Sequence, residues 1–426
     1  MKYCALISML CILTLHSAMA QWEPDQRLTN DPASSMTAEN SNTWTVAAAG
    51  DTVHVVWTDS RDGNDEIYYK RSTDGGTTWG GDVKLSTTGL AFGPSAAVAG
   101  ETVHVVWNGL PSVNPGEPLE VYYTRSTDGG ATWDSIMRLT SDSADYAWQP
   151  AVAAAGANVH VAWYDGRNGP AYPAEIYYTR STDGGATWGS DVRLTNSAPA
   201  SEWASIAATG DRVHVVWSDT RDAGTNEIYY KCSDDNGATW PASPGGDTRL
   251  TSPDSEPSCF PSIAVAGASV HVVWCDRRDG ASGDEVYYKC SDDGGTTWSN
   301  DTRLSVNDNQ QSRHPSIAVA DPGLHVAWYD NRDGNDEIYY KRNPTGNVGT
   351  METMNDERGT MNVGPTIVHG VLFLPPPTFT LHSSLFSLSG EKVLDLHAGA
   401  NDVRALAPGV YFARAASIVR KVVLAR

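Results

Sequence analysis

A five-residue segment occurs six times along the 426-residue chain. It reads Val-His-Val-Val-Trp from Val53 and returns, with small changes, every 50 to 57 residues. A unit of this kind cannot bury an apolar face by itself, so neighbouring copies must stack on one another. The repetition therefore predicts an array or ring of similar units. The later copies begin at Val103, Val159, Val213, Val270 and Leu324.

Each unit reads as four short strands separated by turn signals. The first strand is small and apolar, and the second is the Val-His-Val-Val-Trp run. The third begins with Glu-Ile-Tyr-Tyr, as at Glu66, and the fourth is short, as at Val83. Five units also carry Ser-x-Asp-x-Gly-x-Thr-Trp between the third and fourth strands. Four antiparallel strands repeated at this period predict an all-β, six-bladed β-propeller over residues 21–343.

The sixth unit ends after its third strand, where the sequence becomes Asn343-Pro-Thr-Gly. A segment with the fourth-strand pattern, Gln26 to Thr29, stands alone before the first unit. We expect this segment to complete the sixth blade. The propeller would then be closed by the N-terminal strand and would have no open sheet edge.

The repeated Asp turns resemble those of the Asp-box, or BNR-repeat, sialidase-like propellers. That resemblance implies a six-bladed ring, and it implies no single activity because such folds carry many functions. It also implies that each Asp is structural and holds its turn through hydrogen bonds from the side chain to the backbone. The structural Asp-box residues are Asp74, Asp128, Asp183, Asp235 and Asp293.

Other side chains that occur in every unit have equivalent surroundings, so we expect them to be structural as well. The histidine of strand two, such as His54, should be buried with a backbone partner. The loop after strand two repeats Asp and Arg, and Asp59, Arg61 and Glu66 are expected to form a hydrogen-bonded cluster. Apart from this loop, no metal or cofactor is expected. The alternative for the loop is a Ca²⁺ ion held by Asp59, Asp62, Asp65 and Glu66.

The units differ most just upstream of the glycine that ends strand one. In a propeller this segment shares a face with the loop between strands two and three, at the mouth of the central channel. Aromatic rings with charged groups between them suit a sugar, which has apolar faces and a hydroxyl rim. Alternatively, the rings only plug the channel or pack between blades. The predicted ligand-binding residues are Trp44, Phe92, Trp148, Trp203, Phe260, Arg277 and His314.

The family resemblance implies a chemistry that this sequence matches only in part. Sialidases use an arginine triad, a Tyr–Glu nucleophile pair and an Asp acid, and an Arg-Ile-Pro motif carries the first arginine. The chain has no Arg-Ile-Pro. Candidates for catalytic roles are Tyr146, Glu202 and Arg313. Three functions stay open: a glycan-binding propeller without a complete catalytic set, an active exo-α-sialidase or other glycoside hydrolase, and a protein-interaction scaffold.

Charge and the N-terminus restrict the partners. The chain has 30 Lys and Arg against 51 Asp and Glu, a net charge of -21, which excludes a general nucleic-acid binder. Residues 1–20 combine Lys2, a short apolar run and Ala-Met-Ala, which predicts a signal peptide cut after Ala20. We expect an exported monomer that binds a glycan or glycoprotein.

Four cysteines remain beyond the signal peptide, which leaves three pairings open. Cys259 begins strand one of the fifth unit and Cys275 ends its strand two, so a disulfide between these antiparallel neighbours is plausible. Cys232 and Cys290 hold equivalent positions in neighbouring units and should lie too far apart.

The end of the chain has a different composition. Residues 344–365 are rich in Gly, Asn and Met and read as a linker. Residues 366–426 resemble a type IX secretion C-terminal sorting domain, through Leu-Ala-Pro-Gly-Val-Tyr-Phe from Leu406 and Lys-Val-Val from Lys421. The resemblance implies a small β-sandwich-like module, contact with the outer-membrane secretion machinery, and a secreted or cell-surface location. An ordinary β-sandwich accessory domain is the alternative.

Overall fold

The computed structural model describes the chain from residue 27 to residue 424, with gaps. The predicted signal peptide, the predicted linker, Gln26 and Trp44 lie outside the described residues. The gaps are residues 31–32, 37–44, 88–89, 111–117, 141–145, 168–173, 197–199, 223–224, 253–255, 280–282, 309, 321–322, 333, 335–336, 344–365, 369–370, 375–382, 388–391, 397–398, 403–405, 407–408 and 416–417.

Every regular element in the described ranges is a β-strand, and the strands before residue 344 form six antiparallel sheets. This confirms the all-β, six-bladed β-propeller. Blade one contains β1 (Ser35–Met36), β2 (Val46–Ala49), β3 (Thr52–Asp59), β4 (Glu66–Ser72) and β5 (Val83–Lys84). Blade two contains β6 (Ala91–Ala99), β7 (Thr102–Gly109), β8 (Glu120–Ser126) and β9 (Met137–Arg138). Blade three contains β10 (Ala147–Ala155), β11 (Asn158–Asp165), β12 (Glu175–Ser181) and β13 (Val192–Arg193).

The remaining blades repeat the same order. Blade four contains β14 (Ser201–Thr209), β15 (Arg212–Asp219), β16 (Glu227–Ser233) and β17 (Thr248–Arg249). Blade five contains β18 (Ser258–Ala266), β19 (Ser269–Asp276), β20 (Glu285–Ser291) and β21 (Thr302–Arg303). Blade six contains β22 (Ser312–Ala320), β23 (Gly323–Asp330) and β24 (Glu337–Asn343).

The first strands of the blades lie side by side at the centre, and β6, β10, β14, β18 and β22 contact one another in sequence order. The alanines and serines of these strands have small side chains, which allows the inner strands of neighbouring blades to pack closely. The inner strand of blade one is split into β1 and β2, and both pieces pair with β3. The segment between the two pieces, residues 37–44, has no counterpart in the other blades.

Apolar side chains fill each junction between consecutive blades. Between blades one and two, Ile67 and Tyr69 on one face pack with Val105 and Trp107 on the other. The four later junctions are built in the same way. Burial of these large side chains is the main stabilising term of the ring.

An aromatic contact fixes the Ser-x-Asp-x-Gly turns of blades two to five onto the preceding blade. The ring of Tyr69 meets the indole of Trp133 edge-on, with centroids 4.7 Å apart. Gly130 lies directly against Tyr69, and a Cβ at this glycine would be 1.8 Å from the tyrosine hydroxyl. Arg71 donates a hydrogen bond of 2.8 Å to the carbonyl of Gly129. The turn sequence is therefore set by the neighbouring blade as well as by its own backbone.

The Asp of each turn organises the loop around itself. Oδ1 of Asp74 accepts hydrogen bonds from the amide of Thr78 at 2.8 Å and from the hydroxyl of Ser72 at 2.7 Å, and Oδ2 accepts from the Thr78 hydroxyl at 2.6 Å. These bonds, those from Thr78 first, lower the pKa of Asp74 to about 2. The same hydrogen bonds occur at Asp128, Asp183, Asp235 and Asp293.

Five of the six strand-two histidines are buried and His325 is half-buried, but the predicted backbone partner is wrong. Nδ1 of His104 lies 2.8 Å from the hydroxyl of Tyr123, and the two rings stack. The backbone of β7 is occupied by its two neighbouring strands, so the imidazole reaches a side chain diagonally across the ladder instead. His54 pairs in the same way with Tyr69 at 2.7 Å.

The loop cluster has the predicted Asp and Arg, but its third member is wrong. Arg61 binds Asp59 and also Asp82, which precedes the fourth strand, at 2.6 Å each. Glu66 instead accepts from Ser86 and pairs with Lys84. Among the described residues, no group of three or more His, Cys, Asp or Glu side chains could hold a metal ion. Arg61 donates to both carboxylate oxygens of Asp59, one of the residues named for the Ca²⁺ alternative.

Residues 27–29 have the local contacts of a fourth strand. Lys70 of blade one donates to the carbonyl of Leu28, as Lys231 of blade four donates to the carbonyl of Leu194 in blade three. The segment thus lies beside blade one in the position that a preceding blade's fourth strand takes elsewhere.

The outward faces of the first and last blades are exposed in the described residues. Val46 of blade one is 49% exposed and Ile338 of blade six is 76% exposed, whereas their counterparts Val152 and Ile176 are buried. Closure of the ring by the N-terminal strand stays a prediction.

A cavity of about 220 Å³ lies between blades five and six. It is lined by Tyr288, Leu324, Val326 and Lys341, among others. Tyr288 is the counterpart of Tyr69, whose ring is contacted edge-on by the indole of Trp133. Among the described residues no indole meets Tyr288, because the sixth unit has no Ser-x-Asp motif. The cavity takes the place of that missing ring.

The strands after residue 365 form two further sheets. A five-stranded sheet has the order β25 (Thr366–Val368), β31 (Ile418–Leu424), β30 (Gly409–Ala415), β27 (Ser383–Ser387), β28 (Lys392–Leu396). A two-stranded sheet pairs β26 (Val371–Leu374) with β29 (Gly399–Asp402).

Candidate functional site

The inner strand of each blade from two to six contains a bulge near its start, at the mouth of the channel. The first of the two unpaired residues in each bulge has a positive φ, between 48° and 62°. That conformation costs little for Gly but is unusual for a bulky side chain, and such bulges often re-aim side chains next to functional sites. The five bulge residues are Gly93, Gln149, Trp203, Phe260 and His314.

The residue before each bulge faces a partner on the second strand, and this pair differs from blade to blade. In blade one the equivalent pair is Met36–Thr58, because β1 takes the upper half of the inner strand. Met36 therefore holds the mouth position of blade one. The other pairs are Phe92–Asn108, Trp148–Tyr164, Glu202–Ser218, Cys259–Cys275 and Arg313–Tyr329.

One group of rings lies on blades two and three. Phe92 and Trp148 meet with centroids 5.7 Å apart, and Tyr146 lies 6.4 Å from Trp148. The ring of Tyr146 is 47% exposed. Asn108 supports the group, because its side chain bonds the amide of Gln149 at 2.7 Å.

A second group of rings crosses blades four, five and six. Trp203 meets Phe260 at 4.6 Å, Phe260 stacks on His314 at 4.0 Å, and His314 stacks on Tyr329 at 5.2 Å. Burial, followed by the charge of Arg313, lowers the pKa of His314 to about 4. The imidazole is therefore neutral at neutral pH and acts as a fourth flat ring.

Glu202 is the ionisable residue of blade four at the mouth. Its carboxyl is partly buried, and burial raises its pKa. Tyr164, on the neighbouring blade, has a pKa raised first by burial and then by the charge of Glu202. The tyrosine close enough to Glu202 to be affected by its charge is thus Tyr164. Tyr146 contacts Trp148.

Two arginines share one buried carboxylate beside the second group of rings. Nε of Arg277 lies 3.0 Å from Asp284, and Nε of Arg313 lies 2.6 Å from the other oxygen of Asp284. The arginine side chains are 39% and 30% exposed, whereas Asp284 is 5% exposed. The trio carries a net positive charge, and its outer N–H groups can reach a polar ligand.

The structure therefore brings the predicted mouth residues of the described chain together in two groups. Sequence reasoning missed Met36, Tyr164, Tyr329 and Asp284. The signal for Tyr164 and Tyr329 was the variable residue between Trp and Asp at the end of strand two. Met36 had no such signal, because the insertion at residues 37–44 shifts the alignment.

Comparisons with known proteins agree with this architecture. A family profile described as BNR repeat-like domain matches residues 102–344, more than half of the chain. Comparison with curated protein sequences finds no match to the chain. No helix in the described part of the chain is long and apolar enough to span a membrane.

Solved structures with the same fold include glycan-active enzymes. An α-L-arabinofuranosidase from Fusarium graminearum is similar with a TM-score of 0.51 and 15% identity, over 73% of this chain and 96% of that one. The Hadza microbial sialidase has a TM-score of 0.49 and 16% identity, over 70% of this chain. The match spans 64% of the length of that sialidase. At these identities the likeness shows the fold alone.

Proposed function

The chain belongs to the BNR repeat-like domain family, and on that premise we propose that its propeller binds glycans at the mouth. The observation that carries the proposal is the run of rings from Trp203 to Tyr329. Flat apolar faces of this kind stack on the C–H faces of a sugar. The exposed N–H groups of Arg277 and Arg313 next to it supply donors for hydroxyl or carboxylate oxygens.

A glycan array with the full chain tests this proposal. Trp148→Ala and Trp203→Ala remove one ring from each group, and each should abolish or strongly weaken binding to the glycans that the unaltered protein selects. Trp240→Ala is the matched control, because this indole packs on Tyr178 in a turn and not at the mouth. Absence of binding, or binding unchanged in both mouth variants, refutes the proposal.

Glycoside hydrolysis is the second candidate function. It is favoured by Glu202, a partly buried carboxyl with a raised pKa beside Tyr164. Carboxyl groups tuned by burial are what proton transfer to a glycosidic oxygen requires. Activity on a panel of aryl glycosides, including α-sialosides, decides the matter. Activity should be lost in Glu202→Gln, and a flat result on every substrate removes this candidate.

A protein-interaction scaffold is the third candidate. It predicts a partner in pull-down experiments whose capture is unchanged in the mouth variants. The acidic net charge of -21 argues for a partner other than nucleic acid. We propose that the propeller acts as a monomer, which light scattering of the purified chain would check.

We further propose that the chain is exported. The N-terminal pattern supports cleavage after Ala20, and the motifs in residues 366–426 support type IX secretion to the cell surface or medium. Cell fractionation of the full chain and of a chain ending at residue 365 tests this. The full chain should reach the outside of the cell, whereas the shortened chain should be retained in the periplasm. Equal location of the two contradicts the sorting role.

We propose that residues 26–29 close the ring by pairing with β24. The support is the Lys70–Leu28 bond, which repeats the contact of Lys231 with Leu194. In blade three the amide of Ile176 donates to the hydroxyl of Thr195 at 2.8 Å. The amide of Ile338 would donate to Thr29 in the same way. Thr29→Val should then speed hydrogen exchange at Ile338, and an unchanged rate contradicts the pairing.

A further inference from the structure

Two cysteines face each other at the mouth, in the position that other blades give to aromatic or charged pairs. Cys259 and Cys275 are direct partners across the antiparallel strands β18 and β19. Opposed residues in such strands have Cα atoms about 4.5–5.5 Å apart, and a disulfide needs about 4.4–6.8 Å. The two sulfurs are not bonded to each other in the structure. Their backbones are therefore already spaced for a bond between the sulfurs.

The two sulfurs differ in access. Cys275 is fully buried, and its Sγ accepts the amide N–H of His314 at 3.2 Å. Cys259 is only partly buried, and its thiol interacts with the thiol of Cys275. A reagent in the channel mouth can thus reach the sulfur of Cys259 directly, whereas the sulfur of Cys275 is shielded from it.

Arg277 adjoins the strand end that carries the accessible sulfur. Its backbone amide donates to the carbonyl of Pro257, two residues before Cys259, and its side chain is partly exposed. The thiolate is the form of a cysteine that attacks disulfides. The other two described cysteines have no cysteine opposite them: Cys232 on β16 faces His214, and Cys290 on β20 faces His271.

We propose that Cys259 and Cys275 form a thiol–disulfide site that reacts with low-molecular-weight disulfides such as oxidised glutathione. The Cys259 thiolate attacks one sulfur of the reagent, the S–S bond breaks, and one thiolate leaves and takes up a proton. Cys275 then gives up its proton and attacks the Cys259 sulfur, the bond from Cys259 to the reagent breaks, and the displaced thiolate takes up that proton and leaves as the second thiol. Two cysteine thiols are oxidised to one disulfide, and the reagent is reduced to two thiols.

The bond would fix the part of the mouth that presents the second group of rings. It would tie the inner strand to its neighbour one residue before Phe260, whose ring is held between Trp203 and His314. It would also remove the thiol next to Arg277. The oxidation state of the pair thereby sets how rigidly the bulge of blade five is held.

Peptide mapping of the full chain tests the proposal directly. The protein is incubated with oxidised glutathione, free thiols are alkylated under denaturing conditions, and trypsin is added. Cleavage after Arg249 and Arg277 leaves both cysteines in one peptide, residues 250–277, whereas Cys232 and Cys290 fall in two others. The peptide 250–277 should be two hydrogens lighter and unalkylated, and the other two peptides should be fully alkylated.

Two variants separate the steps. Cys275→Ser should keep a glutathione adduct on Cys259, because no second thiol displaces it. Cys259→Ser should leave Cys275 free and alkylated only after unfolding, because that sulfur is buried. The proposal is overturned if the unaltered protein keeps all four of these thiols free, retains a stable adduct on Cys259, or links either cysteine to Cys232 or Cys290.

Discussion

Acidification is expected to destabilise the propeller through its buried histidines. His104 is fully buried, its Nδ1 is bound to Tyr123, and within the described residues its Nε2 has no partner. Burial, followed by the charge of Arg125, lowers the pKa of His104 from 6.5 to about 4. The unfolded chain takes up a proton as the pH falls below about 6.5, while the folded protein stays neutral down to about pH 4. The stability from this site is therefore complete above pH 6.5 and is lost as the pH falls towards 4.

The size of the effect follows from the two pKa values. For one histidine, the free energy of unfolding should fall by about 2 kcal/mol between neutral pH and about pH 5. The same direction holds for the other stacked pairs, so the combined loss approaches roughly 10 kcal/mol, as large as the whole stability of many domains. The histidines with the same lowered pKa are His54, His160, His214 and His271.

Urea unfolding followed by tryptophan fluorescence measures this at pH values near 7.5 and 5. The variant His104→Gln loses the bond to Tyr123 at both pH values, but its pH dependence should be smaller than that of the unaltered protein by about 2 kcal/mol. Tyr123→Phe is the control, since it removes the same bond and keeps the buried imidazole, so its pH dependence should be retained. Carboxyl groups elsewhere contribute equally to all three proteins. Equal pH dependence in His104→Gln and the unaltered protein would contradict a stabilising role for the neutral imidazole of His104.

Three further predictions concern the repeats. Asp128→Ala should lower the melting temperature more than the control Asp134→Ala. Asp128 accepts several hydrogen bonds within its turn, whereas the side chain of Asp134 is 54% exposed. Equal shifts in melting temperature would show that the hydrogen bonds to Asp128 do not stabilise the fold. Burial raises the pKa of Glu285 to about 7, so its stabilising contribution is complete below pH 4.5 and is lost as the pH rises through 7. Between pH 5 and pH 8 the melting temperature of Glu285→Gln should therefore rise relative to that of the unaltered protein. A difference between the two melting temperatures that does not change with pH would contradict this. Tyr123→Ala should cost about 0.5–1.5 kcal/mol more than Tyr288→Ala in urea unfolding, since only Tyr123 has an indole against its ring; equal costs would contradict it.

The blades could be predicted from the sequence because each residue of the pattern is repeated. The four-strand unit, the small residues of the inner strand and the turn Asp at Asp74 all follow from spacing and residue type. The partner of His54 could not be predicted, because an imidazole N–H or ring nitrogen can bond a backbone group or a hydroxyl equally well. Only the folded ladder shows that the Tyr69 hydroxyl lies within reach. Glu66 was assigned to the wrong partners because Lys84 and Ser86 come close only once the fourth strand is folded back.

The mouth was predictable only where blades differ at an aligned position. Phe92, Trp148 and Phe260 stand out because no other unit repeats them. Met36 does not stand out, since an insertion divides the inner strand of blade one and moves the expected position to residues 42–44. Asp284 is invisible to spacing, because its importance comes from two arginines on different blades.

The exposed outer faces of the first and last blades have a consequence for how the fold comes apart. Each blade packs on its neighbours, so the propeller behaves as a set of coupled units with nearest-neighbour energies. Apolar clusters fill the junctions from blade one to blade six, whereas Val46 and Ile338, on the faces where the proposed closure joins blade six to blade one, are exposed in the described part of the chain. Opening should therefore begin at that junction, so that amide protection rises from blades one and six to a maximum in blades three and four.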